Sequence, residues 1–330
     1  MSSIKNEILQ DLKNASAPLS GQMLAETYGM TRTGIWKHIQ KLIDDGYEIE
    51  TVKKKGYVLK SIPDKLDEVA IMPYLKTKYL GKSFIYLEKT ESTQVIGHQF
   101  VHDKPHGTTI VAEGQTSGRG RMLREWNSVS GKGIWTTIIL KPEVMPYQAP
   151  QFTLVAAVAV TNAIKSLYPA IPVEIKWPND ILINGKKCTG ILTEMVAESD
   201  RIHGLLIGIG INVNQQLDDF PEELRSIATS LSIEANCHIN RAELLAEVLH
   251  YLEQYSEDYV KNGFSRLKAL WEKNSATIGK QIKATTLREI IEGKAVGITE
   301  SGVLEIELPT GEIKGVYSAD IEILPCQNVK

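Results

Sequence analysis

The sequence predicts an α+β chain in three parts: a winged helix-turn-helix over residues 1–63, a central domain on a mixed sheet over 64–275, and a small SH3-like barrel over 276–330. Three observations carry this reading. Apolar residues recur at helical spacing from Ile4 to Ile43, then give way to two short strands around a basic tip. From residue 64 helical and strand patterns alternate. Beyond Lys283 only short strands remain, up to Leu324, separated by Gly293, Gly302 and Gly311.

In the first part, Ile4, Ile8, Leu9 and Leu12 define one amphipathic helix. Ser20 caps a second that turns Leu24, Ala25 and Tyr28 inward, and Gly29 supplies the tight turn after it. A third helix runs from about Thr31, burying Ile35, Ile39, Leu42 and Ile43. Its other face carries Thr31, Arg32, Thr33, Trp36, Lys37, Gln40 and Lys41, residue types that contact phosphates and base edges. Strands at Glu48–Val52 and Tyr57–Leu59 flank Lys53, Lys54 and Lys55, a basic wing tip. A DNA-reading module is expected, with the third helix in the groove. The alternative is a small helical interaction domain with a solvated lysine cluster.

Strands are expected at Ser83–Leu87, Thr108–Ala112, Gly133–Leu140, Val173–Lys176, Gly190–Val196 and Gly204–Val213. Gln151–Leu167 reads as a largely apolar helix buried on one sheet face. Asn240 caps a long helix, with Glu243 at the capping-box position and Leu244, Leu245, Val248, Leu249 and Leu252 facing the core.

Composition excludes several classes. Apolar content of 42% with 23% charged residues is ordinary for a soluble globular protein. The formal charge of −3 hides an asymmetry: residues 1–63 hold nine Lys/Arg against seven Asp/Glu, the remainder 28 against 33. Cys188, Cys237 and Cys326 are too few and too scattered for a disulfide framework and fit a reducing compartment. Met1–Lys5 leads straight into the first helix pattern without a signal peptide, and Leu154–Val160, the most apolar stretch, is too short to span a bilayer. A cytoplasmic protein with no membrane partner is expected.

The chemistry concentrates in short segments. Gly118-Arg119-Gly120-Arg121, followed by Arg124 and Trp126, combines close backbone approach, guanidinium forks and a flat ring for stacking. Such a loop can hold two anionic groups together. Glu91-Ser92-Thr93-Gln94 and Gln115 offer hydroxyls and amides at strand ends. Lys176-Trp177-Pro178-Asn179-Asp180 ends a strand in a rigid turn, Lys187 follows seven residues beyond Asp180, and Gly208-Ile209-Gly210-Ile211-Asn212 leaves space beside a strand. There is no Gly-x-x-x-x-Gly-Lys-Ser/Thr loop, so any ATP use proceeds without one. His98, His102 and His106 repeat every four residues, but Pro105 breaks a helix through all three, and solvated loop histidines are expected.

These segments, in this order and with Lys187-x-x-Gly190-Ile191-Leu192 and Ala228-Thr229-Ser230-Leu231, resemble the bifunctional bacterial biotin protein ligases that also repress the biotin operon, over essentially the whole chain. Met122-Leu123 replaces the Arg-Gly continuation of some members. The resemblance implies a class II synthetase-like central domain of the biotin/lipoate ligase type. It implies that biotin's carboxylate attacks the α-phosphorus of ATP, giving biotinyl-5′-AMP, and that a carrier-domain lysine takes the biotinyl group.

By that resemblance Arg119, Arg121 and Lys187 are catalytic. Ser92, Thr93, Gln115 and Gly120 join them in binding biotin, and Arg121, Arg124, Trp126, Asn179, Asp180 and Asn212 bind ATP or the adenylate. Trp126 would stack on adenine, and Asp180 would position Mg²⁺ or the acceptor lysine. No dedicated metal cage is evident, so Mg²⁺ would arrive with ATP. Implied partners are the carrier domains of acetyl-CoA carboxylase and other biotin-dependent carboxylases, operator DNA, and a second copy of the chain when adenylate is bound. Alternatives are a lipoate-type ligase, a ligand-sensing transcription factor without catalysis, and a ligase whose winged helix has lost its site.

Overall fold

The computed structural model describes residues 4–198 and 202–324; Met1, Ser2, Ser3 and Cys326 lie outside the described residues. The chain divides into two compact units, one ending at Lys65 and the other beginning at Leu66.

The first unit holds α1 (Ile4–Asn14), α2 (Gly21–Thr27), α3 (Arg32–Asp44), β1 (Glu48–Val52) and β2 (Gly56–Ser61). Ile8, Leu9 and Leu12 of α1, Leu24 and Ala25 of α2, and Ile35, Ile39 and Leu42 of α3 are buried, and α3 packs against both α1 and α2. Both helix starts are capped as their sequences require. Ser20 Oγ accepts the Met23 N–H at 3.0 Å and Thr31 Oγ1 the Gly34 N–H at 3.1 Å. Gly29 takes φ +60° in the turn, where a side chain would be strained. β1 and β2 pair antiparallel around Lys53–Lys55, with Lys54 at φ 63°. Two expectations need correction. Ile43 is exposed, because Ile35, Ile39 and Leu42 complete the buried stripe and Ile43 lies past its edge. Tyr28 is half-buried, and its hydroxyl donates to Asp11 at 2.6 Å.

The second unit continues with α4 (Glu68–Ile71), β3 (Phe84–Thr90), α5 (Thr93–Phe100), β4 (Thr108–Gln115), β5 (Gly118–Arg119), β6 (Glu125–Trp126), β7 (Gly133–Leu140) and α6 (Gln151–Leu167). Then come β8 (Val173–Lys176), β9 (Asp180–Ile183), β10 (Lys186–Ala197), β11 (Ile202–Asn212), α7 (Leu231–Ala235), α8 (Arg241–Asn262) and α9 (Ser265–Lys273). Seven strands form a sheet in the order β3-β4-β7-β11-β10-β9-β8, parallel between β3 and β4 and antiparallel elsewhere. α6 packs against β8–β11 on one side and α8 on the other, which is why its sequence is apolar almost all round. On α8, Leu244, Leu245, Val248, Leu249 and Leu252 are buried, and Asn240 Oδ1 accepts the Glu243 N–H at 3.2 Å.

β9 is an addition to the expected strands: Asp180 opens a strand instead of lying wholly in the turn. Asn184 (φ 51°) and Gly185 (φ 77°) then reverse the chain into β10, which therefore begins at Lys186.

The last segment forms a five-stranded antiparallel sheet of β12 (Gln281–Thr285), β13 (Ile290–Ile298), β14 (Leu304–Glu307), β15 (Ile313–Val316) and β16 (Asp320–Ile323), in the order β15-β14-β13-β12-β16. Gly302 and Gly311 sit in turns at φ +79° and +83°, as expected. Gly293 does not separate strands. It lies within β13, where a Cβ would come within 2.4 Å of the Glu307 carbonyl oxygen, so its role is close approach to β14.

The three spaced histidines do not converge. His98 is on α5 with Nε2 3.0 Å from Glu194 Oε2, and the His102 ring lies 5.1 Å from that of His203. His106 is half-buried and not a solvated loop residue: its Nδ1 accepts the Lys141 N–H at 2.7 Å, and burial pulls its pKa below the ordinary value.

Candidate active site

The β3–α5–β4 crossover brings Ser92 and Thr93, at the N-terminus of α5, beside Gln115 at the end of β4, where Thr90 and Gln115 are in register. Ser92 Oγ accepts the Gln94 N–H at 3.3 Å. Gln115 Oε1 accepts from Thr93 N at 2.8 Å and Thr93 Oγ1 at 3.2 Å, and Gln115 Nε2 donates to Ser128 Oγ at 2.7 Å. Thr137 Oγ1 on β7 stands 2.9 Å from both Thr93 Oγ1 and Gln94 Oε1. Ser92, Thr93, Gln94, Ser128 and Thr137 are buried and Gln115 is half-buried, so the network fixes their directions before any ligand arrives.

The arginine loop is a short hairpin. β5 pairs with β6 as Gly118↔Trp126 and Arg119↔Glu125, and Gly120 N donates to Arg124 O at 2.8 Å. Each cation has a tether. Arg119 Nη2 donates to Glu91 Oε1 at 3.2 Å, and Arg124 forms a two-pronged pair with Asp320. Lys187 Nζ meets Asp180 Oδ1 at 2.7 Å. Arg121 differs, since its guanidinium donates to neutral oxygens, Asn179 Oδ1 at 3.1 Å and Ser318 Oγ at 2.7 Å. Burial draws its pKa below the ordinary guanidinium value, Asp320 and Asp180 oppose that shift, and Arg124 adds to it.

Glycines on two neighbouring strands make the bed for the indole. Gly190 and Gly210 are directly opposite in the β10–β11 register. A Cβ on Gly190 would reach Trp126 Cζ3 at 2.7 Å, and one on Gly210 would reach Trp126 Nε1 at 2.5 Å. Gly208, two residues earlier on the same face of β11, leaves room for Gln94 Oε1, which a Cβ would meet at 2.7 Å. The Lys187 ammonium stands 5.3 Å from the Trp126 ring centroid. Its main chain is pinned on both sides, N donating to Ile227 O at 2.8 Å and O accepting from Thr229 N at 3.0 Å.

A single cavity of about 310 Å³ joins these features, with the Thr93–Gln115 network in one part of its lining and Arg119, Arg121, Arg124 and Lys187 in another. It can seat a ligand with a polar neutral head and an anionic tail, next to a second anion.

Comparison with known proteins decides the family. Residues 85–212 match the Biotin/lipoate A/B protein ligase family, 277–324 the Biotin protein ligase C terminal domain, and 5–58 an HTH domain. The Bifunctional ligase/repressor BirA of Bacillus spizizenii is 47% identical over 324 residues, 98% of this chain and 99% of that protein. This chain belongs to the BirA family of bifunctional ligase/repressors. The Escherichia coli BirA is 30% identical, with 92% of each chain covered. Among solved structures, the biotin protein ligase of Aquifex aeolicus in complex with biotin and ATP is 31% identical with TM-score 0.64, covering 74% of this chain and 99% of that one.

In this BirA-family chain the cavity gathers every residue expected to bind biotin or the adenylate. Several face it indirectly. Asn179 directs Arg121 and donates to Ile191 O at 2.8 Å. Asn212 donates to Thr229 O at 3.1 Å and accepts from Gln215 at 3.1 Å, so it braces the wall. Residues that the sequence does not single out are Thr137, Ser128 and Phe220 around the pocket, Ser318 in the loop before β16, and Asp320 at the start of β16; none carries a local signal.

In the winged-helix unit, Arg32, Thr33, Trp36, Lys37 and Lys41 line the exposed face of α3, with Trp36 50% exposed. Lys53, Lys54 and Lys55 form the exposed wing tip. Thr31 is exposed, but its hydroxyl oxygen is engaged as the α3 cap.

Proposed function

We propose that this BirA-family chain is an ATP-dependent biotin protein ligase that activates biotin as biotinyl-5′-AMP and passes it to a lysine of a carboxyl carrier domain. The observation that carries the reading is a cavity lined both by a neutral amide–hydroxyl network and by four cations. Ser92, Thr93 and Gln115 hold the ureido ring. Arg119, Gly120 and Arg121 hold the biotin carboxylate against the α-phosphate, relieving the repulsion between two anions. A carboxylate oxygen bonds to the α-phosphorus and pyrophosphate leaves. The deprotonated lysine nitrogen of the carrier then attacks the acyl carbon, and AMP departs with the bonding pair. Lys187 stabilises charge on the phosphorus centre and on AMP, Arg124 contacts phosphate, and Trp126 stacks on adenine, with Asn179, Asp180 and Asn212 completing the nucleotide side.

Mg²⁺ would arrive with ATP and would shield its phosphate oxygens. Among the described residues no three His, Cys, Asp or Glu side chains cluster as a metal site, and Asp180 is paired with Lys187. Biotin-dependent exchange of labelled pyrophosphate into ATP tests the activation step, and transfer of labelled biotin to a carrier domain of acetyl-CoA carboxylase tests the second. A non-catalytic sensor would show neither.

The winged helix adds repression of the biotin biosynthesis operon, with biotinyl-5′-AMP as co-repressor. From Leu192 to Ala197, β10 pairs with β11 on one side and with no strand on the other among the described residues. We place the adenylate-dependent homodimer on that edge, where the carrier domain would compete with it. Two copies present two α3 helices to a palindromic operator in the cytoplasm. No helix among the described residues is long and apolar enough to cross a membrane. In gel shifts, adenylate should tighten binding. Replacing Lys53–Lys55 by alanine should flatten the log K against log salt slope by about 0.9 for each phosphate no longer neutralised. Equal affinity with and without adenylate would remove the coupling.

A further inference from the structure

The geometry points to Ser128 as a positioning residue for biotin recognition: it sets which end of the Gln115 amide faces the ligand and ties that amide to the arginine hairpin. The inference rests on the ligase reading. Ser128 is buried behind the pocket and is not in its lining. Its hydroxyl donates to the Trp126 carbonyl oxygen at 3.0 Å, an oxygen that can only accept. The single hydroxyl hydrogen is thereby committed, and Ser128 Oγ can offer Gln115 nothing but an acceptor.

Gln115 must therefore turn Nε2 toward Ser128, at 2.7 Å, and Oε1 toward Thr93. There Oε1 takes two hydrogen bonds, from Thr93 N and Thr93 Oγ1, which uses both of its lone pairs. One Nε2 hydrogen is left for a ligand. A lone donor suits the ureido carbonyl oxygen of biotin, and it would repel a ring N–H at the same place. The reverse amide orientation would set an NH₂ group against the Thr93 N–H.

The same hydroxyl connects recognition to catalysis. Trp126 pairs with Gly118 at the base of the hairpin that carries Arg119 and Arg121. Gln115 N also donates to Ser128 O at 3.4 Å. The joint is tight: a Cβ on Gly118 would lie 2.4 Å from Trp126 O, 2.7 Å from Ser128 Oγ and 2.9 Å from Gln115 Nε2. A shift of the Gln115 amide on binding biotin passes through Ser128 to the strand pair that holds the arginines.

The test is a double-mutant cycle in the full-length chain, read by biotin-dependent pyrophosphate exchange, with thermal unfolding as a check on folding. Ser128→Ala should raise the biotin KM on the order of five- to tenfold, the size of one buried neutral hydrogen bond. In a Gln115→Ala background the same step should raise it less than about twofold, because the amide it orients is gone. At saturating biotin, amide hydrogen exchange over residues 119–126 should be slowed in the wild type and less slowed in Ser128→Ala. An unchanged KM, or penalties that multiply through the cycle, would overturn the assignment. Absence of exchange in the wild type would instead sink the ligase reading itself.

Discussion

Replacing Arg121 by alanine is expected to lower biotin-dependent pyrophosphate exchange by about 10²–10³-fold, the range seen when one preorganised donor to a developing charge is removed. The reason lies in what each cation holds before substrate arrives. Arg119, Arg124 and Lys187 are each paired to a carboxylate, so an incoming phosphate or carboxylate must compete with Glu91, Asp320 or Asp180. Arg121 instead donates to the neutral Asn179 amide oxygen and Ser318 hydroxyl, with Asp320 and Asp180 acting on it without a direct ion pair, so an incoming anion need not displace a bound carboxylate. Its guanidinium is half-buried, where exclusion of water strengthens that attraction. Arg121→Lys should rescue little, because an ammonium cannot keep the fork that now spans Asn179 and Ser318. Arg119→Ala, at an exposed ion pair, should cost less. Exchange kinetics at varied biotin and ATP concentrations check the ranking, and an Arg119 variant more damaged than the Arg121 variant would reverse it. Lys187→Ala is also expected to be severely impaired, with near-normal transfer showing that its role is misassigned.

Much of the fold is legible because local signals agree. Gly133–Leu140 and Gln151–Leu167 match their expected bounds to the residue, since each is a largely apolar run closed by turn residues. β9 escapes a sequence reading because four residues after a proline turn look like part of that turn, yet Asn184-Gly185 is the hairpin signal that reveals it. Gly293 misleads because a glycine needed for close strand approach reads like a turn glycine. At the site, ligand-facing residues sit in compact motifs and can be named from sequence. What braces them cannot: Ser318 and Asp320 are almost 200 positions from the arginines they hold, and Ser128 looks like any loop serine. Hydrogen-bond partners that far apart leave no periodicity to read.

Arg241 is the extreme case, and its loss is expected to be the largest single-site cost to stability. At the start of a long amphipathic helix an arginine looks like a solvated charge, but here its side chain is 0% exposed. Nη1 donates to Glu113 Oε2 at 2.9 Å and to Gly133 O at 3.0 Å, while Glu113 Oε1 accepts the Leu66 N–H at 2.7 Å. One ion pair thus joins α8, β4, the first residue of β7 and the start of the second unit. Arg241→Met would leave the Glu113 carboxylate buried without its cation, costing about 3–5 kcal/mol. For a unit of this size that is a fall in Tm on the order of 10 °C. The double variant Glu113→Gln/Arg241→Met should recover part of the loss, since the amide still accepts from Leu66 N and no buried charge remains. Calorimetry of the wild type, single and double variants decides it: a double variant less stable than the single would mean that the uncompensated carboxylate is not what the arginine relieves. Because Glu113 lies two residues before Gln115 on β4, the single variant should also weaken biotin binding, and the double should restore binding and stability together.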